Sequence, residues 1–319
     1  MTTSGSVDFT QNLTGIITDA YHMIGVGAEG EAITDDNYQR AKRSLNRMIK
    51  SWETQGVHLW KYRTANLFLS VGKENYLLGK TGDNATDSFV KTTTTIAAIL
   101  GDGTITVDDD TGILNGDFIG IVLDSGDIQW TTINGVPAAN VITLTDVLTD
   151  TVAIGNVIYV YTTKINRPLL LDNVNIKINN YNEVPMILLE RQEYFNLPTK
   201  SSQGTPTQYH YNPTLTNGIL YIWTTASTSN NYIKFSYIPD FEDLDTALNT
   251  SDFPIEWLDC IVYNLALRLG IENGLSASAT FAQVQSTAIE LLRQAKGFDN
   301  EQGFVSFEPY GNNHIEVNS

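Results

Sequence analysis

The chain has 319 residues, of which 19 are Lys or Arg and 36 are Asp or Glu, so its formal net charge is −17. A chain this acidic does not bind nucleic acid or an anionic membrane over its whole surface. Its length predicts about two structural units. Cys260 is the single cysteine, which excludes an intrachain disulfide. Because Cys260 lies in an apolar run, we expect a buried structural thiol and not a nucleophile.

The opening segment MTTSGSVDFTQ has neither a basic region nor an apolar stretch, so the sequence predicts no signal peptide. No apolar run approaches the roughly 18 residues that a membrane span needs. We therefore expect the protein to act in a cytoplasm-like compartment or to be released by lysis.

Apolar residues at helical spacing predict two helices near the start of the chain. The first carries Leu13, Ile16, Ile17, Ala20 and Ile24. Thr34 is the predicted N-cap of the second helix, and Asp35 and Asp36 fall in its first turn, where the helix dipole favours anions. We expect Gly56 to end this helix. Its predicted buried stripe is Tyr38, Ala41, Leu45, Ile49 and Trp52.

The second helix also concentrates positive charge in an acidic chain. Five of the 19 cations lie within eleven residues: Arg40, Lys42, Arg43, Arg47 and Lys50. At about 100° per residue, four of them form a row opposite the buried stripe. We call this row the basic stripe; its members are Arg40, Arg43, Arg47 and Lys50.

The basic stripe has two interpretations. One is a solvated helix face. The other is an interface with an acidic surface, because four aligned cations repel one another and Asp35 and Glu53 offer little compensation at i,i+4. A neighbouring copy of this acidic chain would supply the anions.

The middle of the chain predicts β structure. Residues 59–78 alternate in polarity and predict a hairpin. Residues 83–164 contain short β segments separated by Gly, Asn and Asp turns, which predicts an inserted small antiparallel barrel or sandwich. A short internal similarity, TITV…LNGDFIGIV against VITL…AIGNVIYVY, lies within it. Residues 165–250 predict further mixed β segments.

Helices return at the end. The segment SDFPIEWLDCIVYNLALRLGI predicts a central buried helix with Pro254 in its first turn. A last amphipathic helix carries Phe281, Val284, Ala288, Leu291 and Ala295 on one face. The predicted fold is α+β: a helical bundle formed by the N- and C-terminal helix pairs, with antiparallel β structure and the inserted β unit. The predicted domains are 1–82 together with 165–298, 83–164, and an extended tail, 299–319.

Motifs that carry chemistry are sparse. GVGAEG, residues 25–30, matches G-x-G-x-x-G, but the helix before it predicts an interhelical turn and not a dinucleotide site. DDDTGILNGD, residues 108–117, lacks the spacing of an EF-hand and favours a solvated turn. We therefore predict no catalytic, cofactor or metal site. The four histidines share no ligand spacing; they are His22, His58, His210 and His314.

The segment ITDAYHMIGVGAEGEAITDDNYQRAKRSLNRMIKSWETQGVHLW resembles the opening of the head-to-tail adaptor family of short-tailed phages, whose members are also called tail accessory or head-completion factors. Ala20–Tyr21, Gly27 to Gly30, Ser51–Trp52 and Gly56 match that family's pattern. Later segments follow in the family's order, and the resemblance covers roughly 10 to 80 and 165 to 300. They are RPLLLDNVNI, EVPMILLERQEYFNLPTKSSQGTPTQYHYNP, GILYIW and DFPIEWLDCIVYNLALRLG.

The resemblance implies a helical core bearing β structure and a non-enzymatic virion protein at the head–tail junction, assembled in the host cytoplasm. It implies a ring, usually of about twelve copies, beneath the portal protein. Such a ring extends the DNA channel, lets the genome pass without specific binding, and docks the next tail or nozzle protein. It also implies that the tail contacts the portal, with Phe304, Phe307 and Tyr310 as its anchors. The basic stripe would then face a neighbouring copy or the portal, with channel lining as the alternative.

Two other functions stay open from the residues alone. A tail-associated peptidoglycan hydrolase would need two carboxylates about 5 to 9.5 Å apart in a cleft. A carbohydrate-binding tail module would use the inserted β unit, with exposed aromatic side chains such as Trp130.

Overall fold

The computed structural model describes residues 5, 9–26, 32–55, 59–178, 182–251 and 253–298. They contain helices and several sheets, so the predicted mixed α+β class is confirmed. By its contacts the chain divides into two compact units, residues 1–60 with 241–319 and residues 61–240. The predicted domain bounds stay predictions, and the predicted tail, 299–319, lies outside the described residues.

Five helices lie in the described part of the chain, and α3 belongs to the second unit. They are α1 (Leu13–Met23), α2 (Asp35–Glu53), α3 (Arg191–Phe195), α4 (Leu258–Glu272) and α5 (Ala279–Phe298), with single 3-10 turns at Leu59–Lys61 and Ile255–Trp257. None of these helices is both long and apolar enough to cross a membrane.

Side-chain caps fix where the first two helices begin. The Asn12 side chain accepts a hydrogen bond from the Gly15 N–H at 2.9 Å. Thr34 Oγ1 accepts from the Asn37 N–H at 3.4 Å, which confirms the predicted N-cap of α2. The predicted end of α2 at Gly56 lies outside the described residues.

Helix α4 is the centre of the first unit, because α1, α2 and α5 all pack against it. Its buried side chains join those of the other three in one apolar core. Gly270 permits a close approach to α5, since a β-carbon there would lie 2.7 Å from the Phe281 ring. At one end of the core, Trp52 packs against Phe253 and Trp257 with ring centroids 5.9 and 5.8 Å apart.

The second unit contains all the described strands. They are β1 (Arg63–Phe68), β2 (Asn75–Leu78), β3 (Ala85–Thr86), β4 (Val90–Thr93), β5 (Thr104–Thr106), β6 (Phe118–Val122), β7 (Ile128–Thr132), β8 (Val141–Thr143), β9 (Val157–Tyr161), β10 (Pro168–Ile178), β11 (Asn182–Pro185), β12 (Ile187–Leu188), β13 (Gln203–Gly204), β14 (Gln208–Asn212), β15 (Gly218–Trp223), β16 (Thr225–Ala226) and β17 (Tyr232–Pro239).

These strands form three larger sheets and two small ones. Their orders are β11-β10-β17-β1-β3, β12-β14-β15-β2 and β4-β9-β6-β7, with β13 paired to β16 and β5 paired to β8. The predicted hairpin over residues 59–78 is wrong, because β1 and β2 lie in different sheets. Both edges of β1 are occupied, by β17 and by β3, so none is left for β2. Strand β2 pairs with β15 instead.

Strands β4–β6 and β7–β9 repeat one arrangement. In this repeat β4 corresponds to β7, β5 to β8 and β6 to β9. The pair β4–β9 therefore corresponds to the pair β7–β6. The two remaining pairs, β5–β8 and β6–β9, each join a strand to its own counterpart. The Gly155 N–H donates to the Thr94 carbonyl at 2.8 Å, and at the corresponding position of the repeat the Gly116 N–H donates to the Ile133 carbonyl at 2.9 Å. Both glycines have positive φ, 87° and 86°. The short sequence similarity is thus accompanied by a pseudo-twofold repeat of hydrogen bonds.

The six strands do not form a closed barrel within the described residues, so the barrel alternative is not observed. Their sheets enclose an apolar core of their own, which includes Ile105, Ile119 and Ile142. A second, aromatic cluster joins them to the rest of the unit. In it the Phe68 ring of β1 lies 4.6 Å from Tyr159 and 5.1 Å from Phe89, centroid to centroid.

Candidate functional site: the polar faces of helix α2

The buried stripe of α2 positions its polar faces. Ala41, Leu45, Ile49 and Trp52 are buried as predicted, and Tyr38 is half-buried. Tyr21, from the predicted Ala20–Tyr21 pair, is also buried, and its hydroxyl donates to the Asn37 carbonyl of α2 at 3.0 Å. Burial raises the pKa of Tyr21, so the phenol stays a neutral donor. The residues that carry the family resemblance here serve the core that orients α2.

Three members of the basic stripe have partners, so the stripe is less uncompensated than the sequence indicates. Arg40 Nη2 lies 2.8 Å from Asp36 Oδ2, one turn earlier on the same helix. Lys50 Nζ lies 3.5 Å from Asp243 Oδ1. Both pairs are largely exposed, and exposed ion pairs contribute only about 0–1 kcal/mol.

Arg47 and Arg268 both lie within the electrostatic influence of the Glu272 carboxylate. Arg47 Nη2 is 3.9 Å from Glu272 Oε1, and Arg268 lies half-buried on the same side of α2, donating to Ser51 Oγ at 3.4 Å. Burial and the nearby Arg47 charge lower the pKa of Arg268, while Glu272 opposes them. Since a guanidinium keeps its charge at neutral pH, this pair leaves an excess of positive charge beside α2.

Arg43 differs from the other three. It is exposed, and it forms no ion pair or hydrogen bond with the residues that the structure describes. On the helix Arg43 lies between Arg40 and Arg47, so three exposed guanidinium groups follow one another along the stripe. An anionic partner would meet this part of α2 first.

A second polar row on α2, which the sequence analysis did not predict, forms hydrogen bonds with the backbone of the segment 241–249. We call it the anchoring row; its members are Lys42, Asn46, Lys50 and Glu53. Asn46 makes two hydrogen bonds with the Leu244 backbone, accepting at 3.0 Å and donating at 3.2 Å. Glu53 Oε1 accepts from the Phe241 N–H at 2.8 Å. Lys50 donates to the Phe241 carbonyl, and Lys42 donates to the Asp245 carbonyl at 2.5 Å.

The anchoring row shows that the members of the basic stripe have different roles. Lys50 belongs to both rows, and its ammonium is committed to the chain's own backbone. The i, i+4, i+8 spacing of Lys42, Asn46 and Lys50 is the sequence signal that would have indicated a polar contact face. The partner of that face lies about 200 residues later, so the sequence gives no sign of what it binds.

The glycine motif is described only in part. Gly25 has φ +72° and its N–H donates to the His22 carbonyl, which ends α1. Helix α1 precedes it and α2 begins at Asp35, as an interhelical turn requires. Residues 27–31 lie outside the described residues.

The acidic turn of residues 108–117 directs its carboxylates at backbone amides. Asp109 accepts from the Thr111 N–H at 2.9 Å, Asp110 from the Asn140 N–H at 3.1 Å, and Asp117 from the Leu114 N–H at 2.8 Å. Among the described residues, no group of three or more His, Cys, Asp or Glu could hold a metal ion.

The histidines and the cysteine have local roles where they are described. His22 lies on the exposed side of α1, and His210 is buried with Nδ1 3.0 Å from the Leu189 carbonyl. His58 and His314 lie outside the described residues. Cys260 is a buried free cysteine, and burial raises the pKa of its thiol to about 12. The thiol therefore stays protonated, which agrees with the expected structural role.

Trp130 is not the exposed aromatic that a sugar-binding surface would use. It is half-buried, with its ring 5.3 Å from Phe68 and 5.6 Å from Tyr161. Gly120 makes room for it, since a β-carbon there would lie 2.6 Å from the indole. The expectation of Trp130 as an exposed platform is therefore wrong.

Three cavities in the described part of the chain offer no pair of carboxylates. One of about 240 Å³ is lined by residues such as Phe9, Thr250 and Ile255. A second, of about 190 Å³, includes Asp117 as its one acid, and a third, of about 390 Å³, lies beside Arg191. The predicted tail anchors Phe304, Phe307 and Tyr310 lie outside the described residues, so their portal contact stays a prediction.

A scan against protein-family models and a search of curated proteins both find no match to this chain.

Proposed function

We propose that this chain is a structural virion protein that forms a ring beneath a phage portal, joins head to tail, and extends the DNA channel. The proposal includes portal protein, neighbouring copies and the next tail or nozzle protein as partners. It rests on the resemblance to the head-to-tail adaptors, whose motifs occur here in order at both ends of the chain.

The finer architecture belongs to the same proposal. We take the helices α1, α2, α4 and α5 to act as one bundle, since they share one core. We take residues 83–164 to act as a small sandwich carried on the β structure. A ring of such subunits needs a heterologous contact, in which one surface meets a different surface of the next copy.

The observation that best supports the proposal is the exposed positive charge on α2 in a chain of net charge −17. Arg43 has no partner among the described residues, and Arg47 makes only a 3.9 Å ion pair with Glu272. Opposite charges on two surfaces of one chain favour head-to-tail association and disfavour a contact between like surfaces. Acidic residues elsewhere would let DNA slide through the channel, because like charges repel it.

The test is the double charge reversal Arg43→Glu with Arg47→Glu. We expect it to block ring assembly and leave the monomer folded, as native mass and circular dichroism would report. The matched control is Lys80→Glu with Arg191→Glu, which changes the net charge equally at two exposed cations outside α2. Normal rings from the α2 variant, or equal loss in the control, would contradict the assignment of α2 as the interface.

A further inference from the structure

Arg268 of α4 faces α2 with most of its hydrogen-bond donors unused by the described residues. Arg47 and Ser51 lie one turn apart on α2, and Arg268 and Glu272 lie one turn apart on α4. We call these four residues the α2–α4 cluster. Arg268 is half-buried, and its one hydrogen bond is the long one from Nη2 to Ser51 Oγ at 3.4 Å. A guanidinium has five N–H donors, so this fork is largely unmatched within the described part of the chain.

Glu272 brings a carboxylate to the α2–α4 cluster, but its contacts there are long. Its Oε1 lies 3.9 Å from Arg47 Nη2, beyond hydrogen-bond distance, and accepts from Ser44 Oγ at 3.4 Å. It forms no ion pair with Arg268 among the described residues. Burial and then the charge of Arg47 lower the pKa of Arg268, which shows that the two guanidinium groups repel each other. Two positive charges therefore face one loosely held negative charge.

Other arginines of this chain have closely matched partners. Arg167 is also partly buried, and it donates to both carboxylate oxygens of Asp240, at 2.7 and 3.1 Å. Arg293 is exposed, yet it donates to both oxygens of Glu290, at 2.7 and 2.9 Å. Each pair lies within one chain and uses the planar fork that fits a carboxylate. The unmatched fork of Arg268 departs from this pattern and makes it a candidate for a partner outside the monomer.

The small size of the α2–α4 cluster indicates which anion would bind there. Nucleic-acid binding that survives physiological salt needs many phosphate contacts along a backbone. The cluster instead offers two guanidinium groups on neighbouring helices, Arg47 and Arg268, which suits a single side-chain carboxylate. A second copy of this chain offers carboxylates in excess, because 36 Asp or Glu outnumber 19 Lys or Arg.

We propose that the α2–α4 cluster is a carboxylate-binding site, in which Arg47 and Arg268 together hold an Asp or Glu side chain of a neighbouring copy. This rests on the proposed ring and adds a residue of α4, Arg268, to its interface. Glu272 is the competitor within the chain, because its charge offsets Arg47 in the free monomer. The loss of that charge therefore strengthens the contact between copies.

The first test removes the fork of Arg268 from the full-length chain. Arg268→Met should raise the dissociation constant of self-association about tenfold, because the incoming carboxylate loses one of its two guanidinium partners. Analytical ultracentrifugation measures it, alone and with the portal. The control is Arg293→Met, which removes the same charge from the same unit, at an arginine that pairs on its own helix. Equal association of the two variants would overturn the site.

Thermal unfolding of Arg268→Met distinguishes a binding role from a structural one. The side chain makes only one long hydrogen bond, so the thermal midpoint should stay within error of the unmodified chain. A lowered midpoint that accounts for the loss of association would overturn the binding role.

The second test removes the competitor. Glu272→Gln should lower the dissociation constant of self-association about threefold, because Arg47 and Arg268 then face the incoming carboxylate alone. The control is Glu256→Gln, at an exposed acid of the same unit that pairs with no described residue. Association of Glu272→Gln that is weaker than, or equal to, that of the control would overturn the competing role of Glu272 and with it the site.

The outcomes separate this inference from the function on which it rests. Rings on the portal that respond to neither Arg268→Met nor Glu272→Gln would overturn the site and leave the ring standing. Association that responds to both variants but forms no closed ring in electron micrographs would support the site and contradict the ring. A chain that associates neither alone nor with the portal would overturn both.

A short fluorescein-labelled DNA duplex tests the alternative anion. Fluorescence anisotropy should show no binding that depends on Arg268 at physiological salt. Binding of the duplex that Arg268→Met abolishes, with self-association unchanged, would overturn the second copy as the partner and assign the site to phosphate.

Discussion

Arg43 differs from the other cations of α2 because no described group competes for its charge. Arg40 pairs with Asp36, yet the pair is exposed and worth at most about 1 kcal/mol, so a partner surface can compete for it. Lys50 is less available, because it also donates to the Phe241 carbonyl. At this scale the candidate interface is centred on Arg43 and extends to Arg40 and Arg47.

Asn46→Ala should destabilise the helical unit by about 1–3 kcal/mol, because the Leu244 N–H and carbonyl both lose their partner in a half-buried contact. The measurement is thermal unfolding followed by helical circular dichroism. The control is Gln39→Ala, which removes only a 3.5 Å contact with Asp35 on the same helix. A shift no larger than that of the control would contradict the anchoring role of Asn46.

Cys260 should resist thiol reagents in the folded protein. Its raised pKa of about 12 keeps the thiol neutral at pH 8, and the thiolate is the reactive form. Unfolding returns the thiol to a pKa near 8.5 and exposes it, so labelling should accelerate at least a hundredfold in denaturant. Rapid labelling of the native chain would show that Cys260 is accessible.

The N-cap Thr34 and the buried stripe of α2 follow from the sequence because they depend on residues within a few turns. The anchoring row does not. Its contacts join Lys42, Asn46 and Lys50 to a backbone segment about 200 residues away. Glu272, the ion-pair partner of Arg47, is equally distant in the sequence. Because local spacing does not reveal such partners, the sequence alone overstated the unpaired charge of the basic stripe.

Among the elements, the six short strands β4–β9 were predictable from alternation and turn residues, but their pairing was not. Alternation of apolar and polar residues predicts which side chains lie on each face of a strand, but it does not predict which strands pair with one another. For that reason β1 and β2, close in sequence, were predicted as a hairpin, although each pairs with a distant strand. The short helix α3 was missed because five residues give too little periodicity to distinguish it from mixed β structure.

The aromatic cluster around Phe68 should be essential to the second unit. Phe68→Ala is expected to cost about 3–5 kcal/mol, because the buried ring packs against Phe89, Trp130 and Tyr159 and its loss leaves a cavity. Urea unfolding followed by tryptophan fluorescence measures the change. Phe9→Ala, at an exposed phenylalanine, is the control. Equal midpoints for the two variants would show that the cluster does not support this unit.

At the scale of the whole molecule, the charges are segregated. Residues 92–163 carry nine aspartates without a cation, while eleven residues of α2 hold five cations. Such polarity within one chain suits head-to-tail assembly, in which each copy presents both signs. Assembly through such charges should also weaken as the salt concentration rises, because exposed charges are screened beyond about 8 Å at physiological ionic strength.

Removal of residues 299–319 should weaken attachment to the portal without lowering the thermal midpoint. The proposed anchors Phe304, Phe307 and Tyr310 lie in this segment. The apolar core that the structure describes in the helical unit is formed by residues up to Ala295. Portal co-sedimentation and thermal unfolding of the truncated chain measure the two effects. Unchanged attachment would contradict the portal role of this segment.

The central claim, that this chain forms an adaptor ring, is tested most directly by electron microscopy of the purified full-length protein mixed with its cognate portal. We predict a closed ring of about twelve copies stacked on the portal, which continues the channel of the portal along one axis. A protein that stays monomeric and leaves the portal bare under these conditions would contradict the account.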